Sequence, residues 1–425
     1  MKGTARPAAP PKLLHIAGSS LFGGDSVLIL EMGKAAQRAG FEVDVLATHS
    51  VFQEFIRSEG LGLVDLDVIR REIRPIWDLR GLGRLTRFLQ NSSYSVVHTH
   101  TSKPGVVGRL AAIRAGVSVI IHTVHGFGFH EESGMLARRV YSVIERAAAR
   151  WCDRIVTVSE FHRNVALGLG IADPEKIIAI PNGVHPVRAQ SRHTRGEIRS
   201  QLGVENDFVI LSTGRLAEQK GLEYLIRALP MLAGGGRSLQ VLLAGDGPLR
   251  SDLEALVTSL GVQEQVRFLG FRDDIGDLLS AADLVALPSL WEGMSISLLE
   301  AMAAGKAIVT TTIGSNREVT DDGQAAILVP PKDPASLARA IEALMSDDVR
   351  RRDLGTRAEK TQSQRYGMDR MLDAYLDEYE RLMNRSVVAP GRFTRPIQHL
   401  PLTRKPADKS IDGQEIREKG ATWGG

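Results

Sequence analysis

At 425 residues the chain is too long for one ordinary domain and suits two, each large enough to bury its own core. Hydrophobic residues at 43% and charged residues at 24% fit a globular protein, and no run approaches the ~18 apolar residues of a membrane span. Net charge is only +3 but uneven: +6 over residues 1–190, −8 over 191–380 and +5 over 381–425, so the front half and the tail either meet something anionic or reflect drift between domains.

The opening MKGTARPAAPPK has no apolar stretch of the signal-peptide kind, and residues 1–11 read as a flexible N-terminus. From Lys12 the pattern is strand, loop, helix, strand. LLHIAG is followed by the loop SSLFGGDS, a helix-like stretch to Ala39, and FEVDVLAT. Further apolar runs are VVHTH (96–100), VSVIIHTVHG (117–126), RIVTVS (154–159) and KIIAIPNG (176–183). Between two of them lies Cys152, which as the chain's one cysteine excludes an internal disulfide and fits a reducing cytoplasm. Strands alternating with helix-length segments indicate a parallel sheet wound on both sides, assigned to residues 12–188.

The stretch PVRAQSRHTRG (186–196) is polar, basic and aperiodic, and reads as a linker. The alternation restarts with DFVILSTG, LQVLLAGDG, VRFLGF, LVALPS, AIVTTT and AILVPP, a second α/β domain over residues 189–365. MDRMLDAYLDEYERLM (368–383) has helical spacing and forms a closing helix within 366–384. Residues 385–425 read as a basic, disordered tail. Two doubly wound domains leave a cleft, and ligands of such sheets bind at the carboxyl ends of the strands.

The loops there carry the chemistry. In GRLAEQKG, Arg215 and Lys220 flank a turn freed by Gly214 and Gly221; two fixed cations at a strand end suit a diphosphate, or else decorate a solvated loop. EGMSISLLE (292–300) puts Glu292 before a helix start and Glu300 a turn inside it. Gly293 permits close backbone approach, Ser295 or Ser297 caps, and the backbone N–H groups around Met294, Ser295 and Ile296 attract phosphate. From Ser295 to Glu300 such a helix rises roughly 7 Å, the reach of a diphosphate. Two carboxylates for hydroxyls on either side of phosphates match a nucleotide sugar.

Gly23 and Gly24 let backbone approach a substrate or a donor phosphate, or serve a plain turn. They do not form G-x-G-x-x-G, and no acid closes the second strand, so a dinucleotide fingerprint is absent. His98, His100, His122, His125 and His130 gather at strand ends. His98 and His100 share a strand face, but no cysteine or carboxylate stands at ligand spacing, so no metal is expected. His125 in TVHGFGFH either donates to a sugar hydroxyl or phosphate in the cleft or is a core histidine.

Together LFGGDS, HTVHGFGFH, IPNGV, GRLAEQKG, AGDGP and ALPSLWEGMSISLLEAMAAGKAIVTT resemble the retaining, nucleotide-sugar-dependent glycosyltransferases of family 4, over residues of about 12 to 383. The resemblance implies the GT-B architecture: two facing Rossmann-like domains, an interdomain cleft and a C-terminal helix crossing back. It implies that Arg215 and Lys220 hold the donor diphosphate, Glu300 the ribose and Glu292 a hydroxyl of the transferred sugar. His125 would touch the sugar or steady the transition state, with Gly24 close to phosphate and acceptor. It further implies retention of configuration without a metal or other cofactor. Ala307, Ser315 and Ala326 depart from the family's usual proline, glycine and glycine, which bears on the shape of the sugar pocket.

The HGFGFH context resembles the branch that builds bacterial surface polysaccharides on lipid carriers. The expected donor is then UDP-linked and the expected acceptor a lipid-linked glycan, handled in the cytoplasm or at the inner face of its membrane; nucleic acid is not an expected partner. RREIRPIWDLRGLGRLTRFL (70–89), with six arginines among apolar residues, reads as a helix lying on an anionic membrane or as one packed on the sheet with a solvated basic face. A nucleotide-sugar 2-epimerase and a non-catalytic nucleotide-sugar-binding protein are the alternatives. The charged set at the two loops argues against both.

Overall fold

The computed structural model describes residues 9–18, 23–70, 74–127, 134–232 and 238–388. The expectations that fall on residues 1–8, His130 and the tail beyond Val388 lie outside the described residues.

Two parallel sheets organise the chain. The first has seven strands: β1 (Lys12–Gly18), β2 (Glu42–Ala47), β3 (Gly62–Val64), β4 (Tyr94–His100), β5 (Val119–Val124), β6 (Arg154–Thr157) and β7 (Ile177–Ala179). The second has six: β8 (Phe208–Thr213), β9 (Leu239–Ala244), β10 (Val266–Gly270), β11 (Leu284–Leu287), β12 (Ile308–Thr311) and β13 (Ile327–Val329). Their spatial orders are β3-β2-β1-β4-β5-β6-β7 and β10-β9-β8-β11-β12-β13. Strands such as FVILST and LQVLLA are buried along their whole length because helices cover both faces of a parallel sheet. β3 was not among the expected strands; its three residues are too few to show a period.

Helices among the described residues include α1 (Gly24–Arg38), α2 (Pro75–Gln90), α3 (Ser102–Ala115), α4 (Met135–Ala149), α5 (Glu160–Gly168), α6 (Ile296–Ala303), α7 (Gly314–Val319) and α8 (Met368–Val388). The closing helix α8 extends to Val388, past the expected end at residue 384, and it crosses back to the first sheet. Met371, Leu372, Tyr375 and Tyr379 join the core that β1, β4, β5 and α1 form. The buried Arg154 on β6 donates to Glu378 on α8 at 2.6 Å and anchors that crossing. At the hinge, a side chain at Gly183 would meet the backbone of Gly367 and Met368, and Val184 N–H donates to the Tyr366 carbonyl at 3.0 Å.

The aperiodic stretch 186–196 is well tied. It begins with a helical turn, Pro186–Ala189, and the Asp277 carboxylate then accepts from the Ser191 hydroxyl and the Arg192 and His193 backbone. α2 packs on the sheet and keeps a solvated basic face, the second of the two readings of residues 70–89. Leu82, Leu85 and Leu89 face the sheet, while Ile76, Leu79, Arg80, Arg84 and Arg87 are exposed.

In both sheets the strand order reverses between the first strand and its cross-sheet neighbour: β1 beside β4, and β8 beside β11. The loops leaving those four strands therefore open at the two topological switch points, where α/β sheets hold ligands.

Candidate active site

On the C-terminal side, two loops are fastened together. Leu290 N–H donates to the Gln219 carbonyl at 2.8 Å, and Gly221, at φ +58°, lies so close to the Pro288 carbonyl that a Cβ would stand 2.2 Å from its oxygen. This brings GRLAEQKG against EGMSISLLE. Glu292 is buried and compensated: Lys220 Nζ donates to Oε1 at 2.6 Å, the Ser289 hydroxyl to Oε1 at 2.9 Å and Gln219 Nε2 to Oε2 at 2.8 Å. A carboxylate offers about four lone-pair sites, so one on Oε2 remains for a ligand, while the ammonium keeps two further N–H groups. Lys220 lies across Gly214, where a Cβ would approach its Cε to 3.1 Å. Arg215 is exposed and makes no ion pair with any described residue. Ser295 is the residue that caps α6, its hydroxyl accepting the Leu298 N–H at 3.3 Å, and Glu300 is buried on the second turn.

On the N-terminal side, alternation and register build a histidine cluster. His98 and His100 lie on one face of β4, and His15 on β1 is the register partner of His98. His15 Nδ1 stands 2.9 Å from His100 Nε2, and His100 Nδ1 stands 3.1 Å from His125 Nε2. His98 bonds the Tyr379 hydroxyl at 2.6 Å and the Thr123 hydroxyl at 2.8 Å, and Thr123 meets Tyr375 at 3.1 Å. His122 points to the other face, bonded to the Thr99 hydroxyl at 3.0 Å. Burial holds the imidazoles neutral: His15 falls to about 3, and His98, His100 and His122 sit well below their ordinary range. His125 is also lowered by burial, partly offset by the Asp25 carboxylate on α1.

Ring nitrogens of His15, His98 and His100 lie within 4.8 Å of one another, a spacing a metal ion would accept. Here those rings bond each other and neighbouring hydroxyls; His15 Nε2 is the atom of the three rings left without a partner among the described residues.

The two sides touch through glycines. A Cβ on Gly293 would stand 1.7 Å from the His125 carbonyl oxygen, and one on Gly24 would stand 2.9 Å from Ile296 Cγ1. The start of α1, entered through the extended Gly23, thus faces the start of α6, and the strand end carrying His125 faces the EGMS turn. Asn182 Nδ2 donates to the Met294 carbonyl at 3.3 Å. Glu318 on α7 accepts from the Glu160 and Phe161 N–H groups at 2.9 and 2.7 Å, capping α5 across the cleft, and Gly314 makes room for the Phe161 ring. Burial drives His162, beside the Gly293 backbone, down to about 4.

The structure therefore brings Lys220 to Glu292, His125 to Gly293 and Gly24 to Ile296, with Met294 and Ser295 between. Arg215 stands at the loop's outer edge. Gln219, Asn182 and Glu318 were not singled out, although each lies inside or beside a quoted motif. Ser159 and His162, paired at 2.7 Å, carry no signal in the sequence.

Two parallel α/β domains facing each other across their switch points, with a C-terminal helix returned to the first, define a glycosyltransferase of GT-B architecture. Residues 23–183 match the glycosyl transferase 4-like domain, and residues 194–361 match glycosyl transferases group 1. The chain belongs to this glycosyltransferase family. It is 29% identical, over 80% of its length and 89% of the relative's, to UDP-Gal:alpha-D-GlcNAc-diphosphoundecaprenol alpha-1,3-galactosyltransferase of Escherichia coli. It is 30% identical, over 71% of its length and 74% of the relative's, to D-inositol 3-phosphate glycosyltransferase of Saccharomonospora viridis. Among solved structures, Anabaena Alr3699/HepE in complex with UDP and glucose superposes with a TM-score of 0.77 at 22% identity, covering 87% of this chain and 100% of that one.

Proposed function

We propose that this glycosyltransferase moves a sugar from a UDP-linked donor to a lipid-linked glycan acceptor of polysaccharide biosynthesis, with retention of configuration and without a metal. One observation carries the reading: the Lys220–Glu292 pair at the β8/β11 switch point faces the His125–Gly293 contact at the end of β5. That wall offers an ammonium, a guanidinium and a helix N-terminus to a diphosphate, and carboxylates to hydroxyls. The Escherichia coli relative supports the donor and acceptor classes, since its name states a UDP-sugar and a diphosphoundecaprenol-linked sugar.

In this reading residues 12–188 form the acceptor side and residues 189–365 the donor side. Lys220 and Arg215 neutralise the departing diphosphate, with the N–H groups at the start of α6 beside them. Glu300 receives the ribose and Glu292, through its remaining lone pair, a sugar hydroxyl. No side chain acts as a covalent nucleophile; the acceptor attacks from the side on which the diphosphate leaves, and a phosphate oxygen takes its proton.

A lipid-linked acceptor requires a membrane face at the cytoplasmic side, and α2 with α4 supplies one. The two helices flank α3, tied to it by Lys103–Asp78 at 2.7 Å and by the Tyr141 hydroxyl on Ser102. Ile76, Leu79, Leu136, Val140 and Val143 are exposed there, Leu136 by 76%, among Arg80, Arg84, Arg139 and Arg146. The carboxylate of α4, Glu145, is turned inward against Arg109 at 2.8 Å, so this face meets an anionic surface without repulsion. No described helix is long and apolar enough to cross a membrane.

The deciding assay measures nucleoside diphosphate release from several UDP-sugars, with and without a GlcNAc-diphospho-lipid acceptor. Acceptor-dependent release with a retained anomeric product, unaffected by chelator, is expected. Interconversion of the free donor would make the protein an epimerase, and tight donor binding without turnover on any acceptor would make it a binding protein. Sedimentation with phosphatidylglycerol vesicles tests the membrane face: L136E with V140E should lower binding several-fold at unchanged melting temperature, and unchanged binding would remove that face from the proposal.

A further inference from the structure

His125 has a second side. Its Nε2 does not meet the cleft; it points inward, 3.1 Å from His100 Nδ1, and His100 Nε2 continues to His15 Nδ1 at 2.9 Å. Three imidazoles thus run in a line from the cleft through β4 to β1, and His15 and His100 are fully buried. Among the described residues, Nδ1 is the ring nitrogen of His125 left for a ligand.

The line has few states. A neutral imidazole carries one N–H and one bare nitrogen, so each ring in the line donates on one side and accepts on the other. Protons therefore all point outward or all point inward. Outward, His15 Nδ1–H donates to His100 and His100 Nδ1–H to His125, so that His125 carries its proton on Nδ1. Inward, every link reverses: His125 shows the cleft a bare Nδ1, and His15 must carry its proton on Nε2.

The far end of the line discriminates between them. His15 Nε2 is buried and has no partner among the described residues. In the inward state this atom is an orphaned N–H, the rarer and costlier defect of a protein interior; in the outward state it is only an unused lone pair.

We propose that His100 and His15 are positioning residues that hold His125 in the tautomer protonated on Nδ1, so that His125 meets the cleft as a hydrogen-bond donor. Its ligand is then an acceptor oxygen, of a sugar hydroxyl or a phosphate, and His125 does not take a proton from the substrate. The kinetic consequence rests on the glycosyl transfer proposed above; the tautomer does not.

The test is two-bond proton–nitrogen correlation NMR on the full chain labelled with 15N-histidine, with the His125 signals assigned by their loss in H125Q. Wild type should show a protonated Nδ1 and a bare Nε2 at His125. H100L, which removes the inner donor, should shift His125 to a mixture of tautomers, and H100N, whose amide N–H replaces Nδ1–H, should restore the single form. A protonated Nε2 in wild type overturns the proposal, as does a His125 signal unchanged in H100L. In the transfer assay, H100L should lower kcat by about 10²-fold with KM for the donor nearly constant, and H100N should recover most of the loss. Equal loss in both variants would reduce His100 to a packing role and also overturn it. If wild type transfers no sugar, the function fails while the tautomer measurement still decides the relay.

Discussion

The two walls of the cleft are built from the same fold and do opposite electrostatic work. The C-terminal wall keeps charge: Lys220, Glu292 and Glu300 lie at least partly buried, and Lys220 is held at 2.6 Å by the carboxylate beside it. The N-terminal wall removes charge, since burial keeps His15, His98, His100 and His122 neutral and leaves them to direct hydrogen bonds. An anionic diphosphate needs the first wall; a neutral hydroxyl that must be oriented needs the second. Parallel sheets supply both because the strand ends and the loops at each switch point carry their own side chains: histidines on β1, β4 and β5 in the first, and Lys220 and Glu292 in the loops after β8 and β11 in the second.

Breaking the charged wall should have the largest effect. K220A leaves Glu292 buried with two neutral donors and no cation, which should cost about 3 kcal/mol in chemical denaturation and lower turnover by roughly 10³-fold. The double variant K220M/E292Q should recover most of the stability and none of the turnover. If K220A is both stable and active, Lys220 belongs to surface chemistry and the contrast between the walls collapses.

Pushing the walls apart comes next. G293A places a methyl group against the His125 carbonyl, a backbone atom that cannot step aside, and should cost about 10²-fold in kcat/KM. G24A meets only the side-chain end of Ile296, which has room to rotate, and should cost about tenfold or less. Equal losses would show that the approach of the two walls is looser than these contacts imply.

Acid should act on the neutral wall. An unfolded histidine takes up a proton near its ordinary 6.5, whereas folded His15 does so only at about 3. The unfolded state therefore binds more protons throughout that window, and stability falls as pH drops from 6.5 towards 3. From pH 7 to pH 5, His15 alone should remove about 2 kcal/mol, read as a lower urea midpoint, and H15N should lessen the pH dependence by about that amount while His98, His100 and His122 keep the rest. A midpoint independent of pH would mean that these imidazoles take up protons in the fold as readily as in the unfolded chain. The smallest effect belongs to Y379F, which removes the hydroxyl from His98 and should cost about 1 kcal/mol of stability.

Much of this was legible in the sequence because it is local. Apolar runs of four to seven residues mark buried parallel strands, and all six of the second sheet stand where such runs do. A serine ahead of a helical run, with glycine two residues before it, marks the start of α6. GRLAEQKG and EGMSISLLE could be placed at strand ends in the same way. β3 escaped because three residues have no period, and Gln219 because an amide between charged neighbours has no signature of its own.

Periodicity and residue chemistry act over a few residues, so the two α/β halves, the loops at their strand ends and the kinds of charge those loops carry are written locally in the chain. Which groups meet is set by the packed fold. His98 finds Tyr379 across 281 positions, Glu292 finds Lys220 across 72, and Glu318 caps a helix across 158. Such pairings follow from strand order, register and the return of α8, which the whole chain sets by burying its apolar surface at once.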